Sequence, residues 1–395
     1  MTERGAYRDL GVSSSKGDVH KAVKNIDPGL FKGAFCKIVP DILTNDKNWC
    51  VASHSDGAGT KSIVAYLRFR ETGSARPFRS ISQDSIVMNL DDLLCVGATE
   101  SFLLSNTINR NLNKIPASIL SEVIQGYEDF IELMSGYGVN IVNCGGETAD
   151  IGDSVRNVIV DSSLTTRLRR KDVISAAKVR GGEEIIGFSG AGMATYEKKV
   201  NSGIGGNGLT LARHALLSSH YDQFAESYDS ALDAKVRHRG PFLLSDRAPG
   251  LRMSVGDALL SPSRTYAPVI KMVLAGHRAE VHGMIHCTGG GQVKCLNFGK
   301  GIRYLKDDLF TPPPIFGLIQ ETAKIDWREM YRTFNMGHRM ELFVDPSISN
   351  YVIGIAKGFD IDAKVVGRCE RTGTKNSVEI ASEFGEFSFA QGRPS

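Results

Sequence analysis

No apolar run in this sequence approaches the roughly 20 residues that a membrane-spanning helix requires. Charge of one sign is also lacking, since 47 Lys and Arg stand against 44 Asp and Glu, a formal net charge of +3. Composition therefore gives no footing for nucleic-acid or membrane-surface binding. The short cluster Arg167, Arg169, Arg170 and Lys171 reads as a solvated face. The seven cysteines are scattered, odd in number and without a CxxC pair. That pattern points away from disulfides and zinc, towards reduced thiols in a cytoplasmic protein. The opening MTERGAYRDLG is polar and charged, unlike a secretory signal. Internal repeats and low-complexity tracts are absent from the sequence.

Glycine is what the chain has in excess, 42 residues gathered in clusters: GGET at 145–148, GIGGNG at 203–208 and TGGG at 288–291. Each follows or precedes an apolar, strand-like segment, as at tight turns where backbone approaches a ligand. At 395 residues, two domains are the natural expectation. Strand-like and helix-like stretches alternate from residue 48 onwards, which is the α/β (α+β) pattern. Strands are expected at 49–53, 102–104, 139–143, 155–164 and 281–286. Helices are expected at 60–69, 85–96, 116–135, 209–217 and 326–334. The domain boundary falls near 175–180, giving domains of 1–177 and 178–395. Residues 219–254 read as a long loop or insertion.

Three acidic segments in the first half could carry chemistry. Asp56-Gly57-Ala58-Gly59-Thr60-Lys61 reads as a strand-to-helix turn. Its backbone N–H groups and Lys61 could hold an anion, with Asp56 holding Mg²⁺. It is not a Walker A motif, and a plain turn capped by Asp56 explains it equally well. The expected helix 85–96 starts at Asp84 as an N-cap and contains Asp91 and Asp92. Asp84 and Asp91 lie about two turns apart on one face, and Asp92 is rotated roughly 80° from them. Magnesium coordination accounts for such acids among leucines, as would Arg or Lys partners. Gly145-Gly146-Glu147 reads as a glycine turn carrying a carboxylate at a strand's end. In the second half, Asn207-Gly208 before a helix and Thr288-Gly289-Gly290 after a strand are candidate phosphate loops. A lone His286 or His338 is more often structural than catalytic.

Seven segments, in order, resemble one family. They are YRDLGV (7–12), SDGAGTK (55–61), DSIVMNLDDLLCVGA (84–98), GGETAD (145–150), DALLSPSRTYAPVI (257–270), HCTGGG (286–291) and MYRTFNMG (330–337). Together they resemble the phosphoribosylformylglycinamidine cyclo-ligase (aminoimidazole ribonucleotide synthetase) family over most of the chain. The resemblance implies a two-domain fold, its N-terminal sheet pairing across a homodimer and its C-terminal domain mixed α/β. It implies ATP and Mg²⁺, with Lys61 and Asp92 catalytic and Asp56, Asp84, Asp92 and Glu147 on the metal. Gly57, Gly59, Thr60, Gly145, Gly146, Asn207, Gly208, Thr288, Gly289 and Gly290 would line the nucleotide and substrate. The implied reaction is ATP-dependent closure of formylglycinamidine ribonucleotide to aminoimidazole ribonucleotide in purine biosynthesis. The departures fall mainly on the substrate side: GGNG at 205–208 replaces the family's HSNG and QVKCLNFG at 292–299 its ExNxP element, while PGLFKGAF at 28–35 stands for its GGFGGLF and Asp91 for its Asn. The segment 193–204 reads as an insertion. The alternatives are a related ATP-dependent enzyme with another substrate, or a non-catalytic nucleotide-binding paralogue.

Overall fold

The computed structural model describes residues 6–12, 22–23 and 25–391. Five strands form the first sheet: β1 Ile38–Pro40, β2 Trp49–Gly57, β3 Ser101–Arg110, β4 Asn140–Asp150 and β5 Val158–Arg169, in the order β1-β2-β5-β3-β4. Along β5, alternate residues from Val158 to Leu168 are buried and the intervening ones are half-buried or exposed. One face of the sheet is therefore covered and the other open, as period-2 alternation dictates.

Three helices follow from the same half of the sequence: α1 Lys61–Thr72, α2 Arg79–Leu94 and α3 Ala117–Ser135. In α3, Ile119, Val123, Tyr127, Phe130 and Met134 recur at helical spacing and are buried. Helix α2 is different, because thirteen of its sixteen residues are buried, including Asp84, Asp91 and Asp92. It packs against β2, β5 and α3 on one side and against the second domain on the other. A helix buried all round belongs at the centre of a molecule.

The second sheet has seven strands in the order β14-β13-β10-β12-β6-β11-β9. They are β6 Glu184–Ser189, β9 Val281–His286, β10 Ile302–Lys306, β11 His338–Val344, β12 Ala363–Arg371, β13 Ser377–Ser382 and β14 Gly385–Ala390. Only β10 and β13 pair in parallel. The short ladder β7 Ala191–Gly192 with β8 Asn201–Ser202 and the helix α4 Leu209–Leu216 lead away from this sheet.

Two expectations need correction. Helix α2 begins at Arg79, so Asp84 lies inside it and caps nothing. GGETAD is not a turn: β4 runs through it to Asp150, and only Gly145, at φ 85°, sits in a bulge against β3. The 193–204 segment is docked, with Ala194 and Tyr196 buried and Glu197 paired to Arg264. Residues 219–254 contain only short 3₁₀ turns and isolated bridges, in keeping with a long loop.

Candidate active site between the domains

All three acids of α2 reach into the second domain. Asp84 Oδ1 accepts from Lys61 Nζ at 2.5 Å and from the Ser263 N–H at 2.9 Å. Asp91 Oδ1 accepts from Thr265 Oγ1 at 2.5 Å. Asp92 Oδ1 lies 2.7 Å from His286 Nδ1 at the end of β9. Lys61 is fully buried and also donates to the Ser261 carbonyl at 2.7 Å. Burial pulls its pKa down, and Asp84 opposes that pull. The pair therefore acts as a clamp between α1, α2 and the 261–263 turn. Asp91 is also buried, and desolvation pushes its carboxyl up to about 7 despite the bond from Thr265.

The protons around Asp92 follow from the hydrogen bonds. Arg339 Nη2 lies 2.9 Å from His286 Nε2, and a guanidinium only donates. His286 Nε2 is therefore the acceptor, and Nδ1–H points at Asp92. Burial, the leading cause, brings the His286 pKa down to about 4, which keeps it neutral. On the other side, Asn89 Nδ2 donates to the carbonyls of Asp56, Ser85 and Ser162. Its Oδ1 thus accepts from His54 Nδ1 at 2.9 Å, which aims His54 Nε2 at Asp92 Oδ2, 3.2 Å away. Asp92 thus accepts from His286 and has the His54 ring beside it.

Glycine-rich turns close on the same place. Thr60 Oγ1, at the start of α1, lies 3.0 Å from Thr210 Oγ1 in the first turn of α4. The Asn207 amide lies against Gly289, where an added Cβ would stand 3.6 Å from Nδ2. Gly208, at φ 80°, admits Phe334, which a Cβ would meet at 2.2 Å. Gly206 faces Met88 of α2. The turns at 57–60, 205–208 and 288–290 therefore adjoin at the domain junction.

The remaining expected residues lie elsewhere. Asp56 is exposed at the end of β2 and accepts from the Gly57 N–H at 2.7 Å. Beside it Asp161, register partner of Gly57, has its carboxyl raised, by burial first and by the Asp56 charge second. Thr107 of β3 pairs with Asp161 on one side and Glu147 on the other, so Glu147 shares the open sheet face with Asp161. Gly145 and Gly146 are exposed on the same edge strand. The four acids expected on a metal are thus not gathered: Asp84 and Asp92 are inside the junction, Asp56 and Glu147 outside. His54, Asn89, Asp161, Lys294 and Arg339 were not singled out from sequence. Only His54 carried a usable signal, because Cys50 and Ala52 on the same face of β2 are apolar. A separate cavity of about 820 Å³, lined by Arg180, Glu183, Lys300 and Arg371 among others, opens where β6 begins.

Two mixed-sheet α/β domains clasped on a central acidic helix, with three glycine turns at their junction, define a bilobal protein whose candidate site lies between its domains. Residues 36–167 match the AIR synthase related protein N-terminal domain and residues 180–378 match its C-terminal domain. The chain belongs to the AIR synthase related family. It is 28% identical over 331 residues to the phosphoribosylformylglycinamidine cyclo-ligase of Methanococcus vannielii, covering 84% of this chain and 79% of that one. It is 27% identical over 379 residues to the cyclo-ligase of Thermoanaerobacter pseudethanolicus, covering 91% and 96%. Among solved structures, T. maritima PurL complexed with ADP superposes with a TM-score of 0.52 at 12% identity, over 97% of this chain. This chain spans only 49% of that PurL chain, and the likeness is one of fold.

Proposed function

We propose that this protein is a cytoplasmic, ATP-dependent cyclo-ligase that converts formylglycinamidine ribonucleotide to aminoimidazole ribonucleotide, ADP and phosphate. The observation that carries this reading is the meeting of the turns 57–60, 207–208 and 288–290 around the Asp92–His286 pair. An amide oxygen is a poor leaving group, so ATP first phosphorylates it. The ring nitrogen then attacks the activated carbon, the C–O bond breaks and phosphate departs. Backbone N–H groups of the turns would hold the transferring phosphoryl group without reorganisation. The proton lost by the attacking nitrogen would pass to Asp92, which His286 orients and beside which His54 lies.

The family implies Mg²⁺. Asp56 and Asp161 fit it, being adjacent carboxylates whose mutual repulsion a cation relieves. Glu147 shares the sheet face of Asp161, and Asp56, register partner of Ser162, lies on the other. Mg²⁺ there would neutralise phosphate charge. The buried ion pair of Asp84 and the imidazole-flanked Asp92 suit that role less well. The open face of the first sheet, with Leu103 and Val142 exposed on adjoining strands, is where a homodimer would pair. The direct test supplies purified protein with formylglycinamidine ribonucleotide, ATP and Mg²⁺. ADP release that depends on the ribonucleotide, and falls in Asp92→Asn, is the expected result. Release indifferent to the ribonucleotide sinks the reading.

A further inference from the structure

The 292–299 segment brings to the domain junction a cation that the reaction above leaves unused. Lys294 lies on the 3₁₀ turn Gly291–Asn297 and is half-buried. Its ammonium sits 4.5 Å from the centroid of the Phe35 ring and donates to Thr288 Oγ1 at 2.5 Å. Three buried cations here have acid partners, Lys61 with Asp84, Arg264 with Glu197 and Lys306 with Glu341, while buried Arg213 and Arg339 are held by carbonyls and imidazoles. Lys294 forms no ion pair among the described residues. An ammonium carries three donors, so two remain free.

The same turn is rich in unused donors. The backbone N–H groups of Gly289 and Gly290, and the Asn207 amide beside them, make no hydrogen bond among the described residues. A half-buried cation surrounded by free donors, with Asp92 as the neighbouring acid, calls for a ligand with several anionic oxygens. A phosphate monoester has three.

We propose that Lys294, with Thr288 and the Gly289–Gly290 backbone, seats a phosphate monoester and is a specificity-determining residue of the site at the domain junction. This rests on the reading of that junction as the substrate site. The phosphate could belong to the ribonucleotide or be the γ-phosphate of ATP, and experiment separates the two. Lys294→Met keeps the stem against Phe35 and removes the charge; Lys294→Arg keeps the charge. Titration calorimetry of the full chain with ribose 5-phosphate and with inorganic phosphate reads the seat without turnover. Lys294→Met should weaken binding roughly 10- to 100-fold, the range for a hydrogen bond to a charged group, and Lys294→Arg should restore most of it. The unfolding midpoint should stay in place. In turnover, a raised KM for the ribonucleotide alone assigns the seat to the ribose phosphate, and a raised KM for ATP alone assigns it to the γ-phosphate. Unchanged affinities and unchanged KM values overturn the proposal. If wild type binds ribose 5-phosphate through Lys294 yet closes no ring, the seat stands and the cyclo-ligase reading falls.

Discussion

Lys61 shows how one residue type serves two roles that sequence does not separate. In SDGAGTK a lysine after a glycine turn suggests a phosphate contact, yet the side chain is fully buried against Asp84 and Ser261. Removing one member of a buried pair leaves the other charge unsolvated, at a cost of about 3–5 kcal/mol. Lys61→Met should therefore lower the free energy of unfolding by about that amount in urea titrations. If Lys61 instead contacts substrate, turnover will fall while the urea midpoint stays put. Asp91 makes a related point. Its neighbour Asp92 sits between two imidazoles, whereas Asp91 meets a threonine hydroxyl and is pushed up to about 7 by burial. Adjacent aspartates on one helix carry different chemistry because a 100° turn gives them different neighbours.

At the scale of elements, α2 is the piece on which the site depends. Its place is set by close contact with α3, where Gly126 lets the Arg79 carbonyl approach. A Cβ at Gly126 would stand 2.1 Å from that oxygen and 3.0 Å from Ser82 Oγ. Alanine normally favours a helix over glycine by about 1 kcal/mol, but overpacking at a rigid contact costs about 1–3 kcal/mol. Gly126→Ala should thus lower the thermal midpoint by a few degrees and reduce turnover, since displacing α2 moves Asp92 against His286. A raised midpoint would show that the helices part without penalty. The strand β4 shows the opposite lesson. Glycines within GGETAD suggested a turn, whereas pairing with β3 continues the strand through them and confines the irregularity to one bulge.

For the whole molecule, the open face of the first sheet is the largest consequence of the fold. Leu103 is 50% exposed and Val142 56%, and they are register partners on β3 and β4. Leu103→Glu, a surface change, should leave the fold intact and convert a dimer to a monomer in analytical ultracentrifugation. A wild-type monomer, or a dimeric variant, removes that face from the assembly.

The sequence by itself determined the α/β alternation, the approximate places of five strands and five helices, and the glycine turns that adjoin at the junction; the helices at 267–277, 314–323 and 349–357 and most strands of the second sheet were not read from it. The features it determined are local: apolar periodicity and backbone freedom are written in neighbouring residues. The strand register that turned Glu147 to the open face, and the partners that claimed Lys61, Asp84 and Asp92, were decided only by tertiary structure. Asp92 and His286 are separated by 194 positions and meet at 2.7 Å. His54, Lys294 and Arg339 join them because strand ends from two domains converge there, and single-residue chemistry holds no record of that convergence.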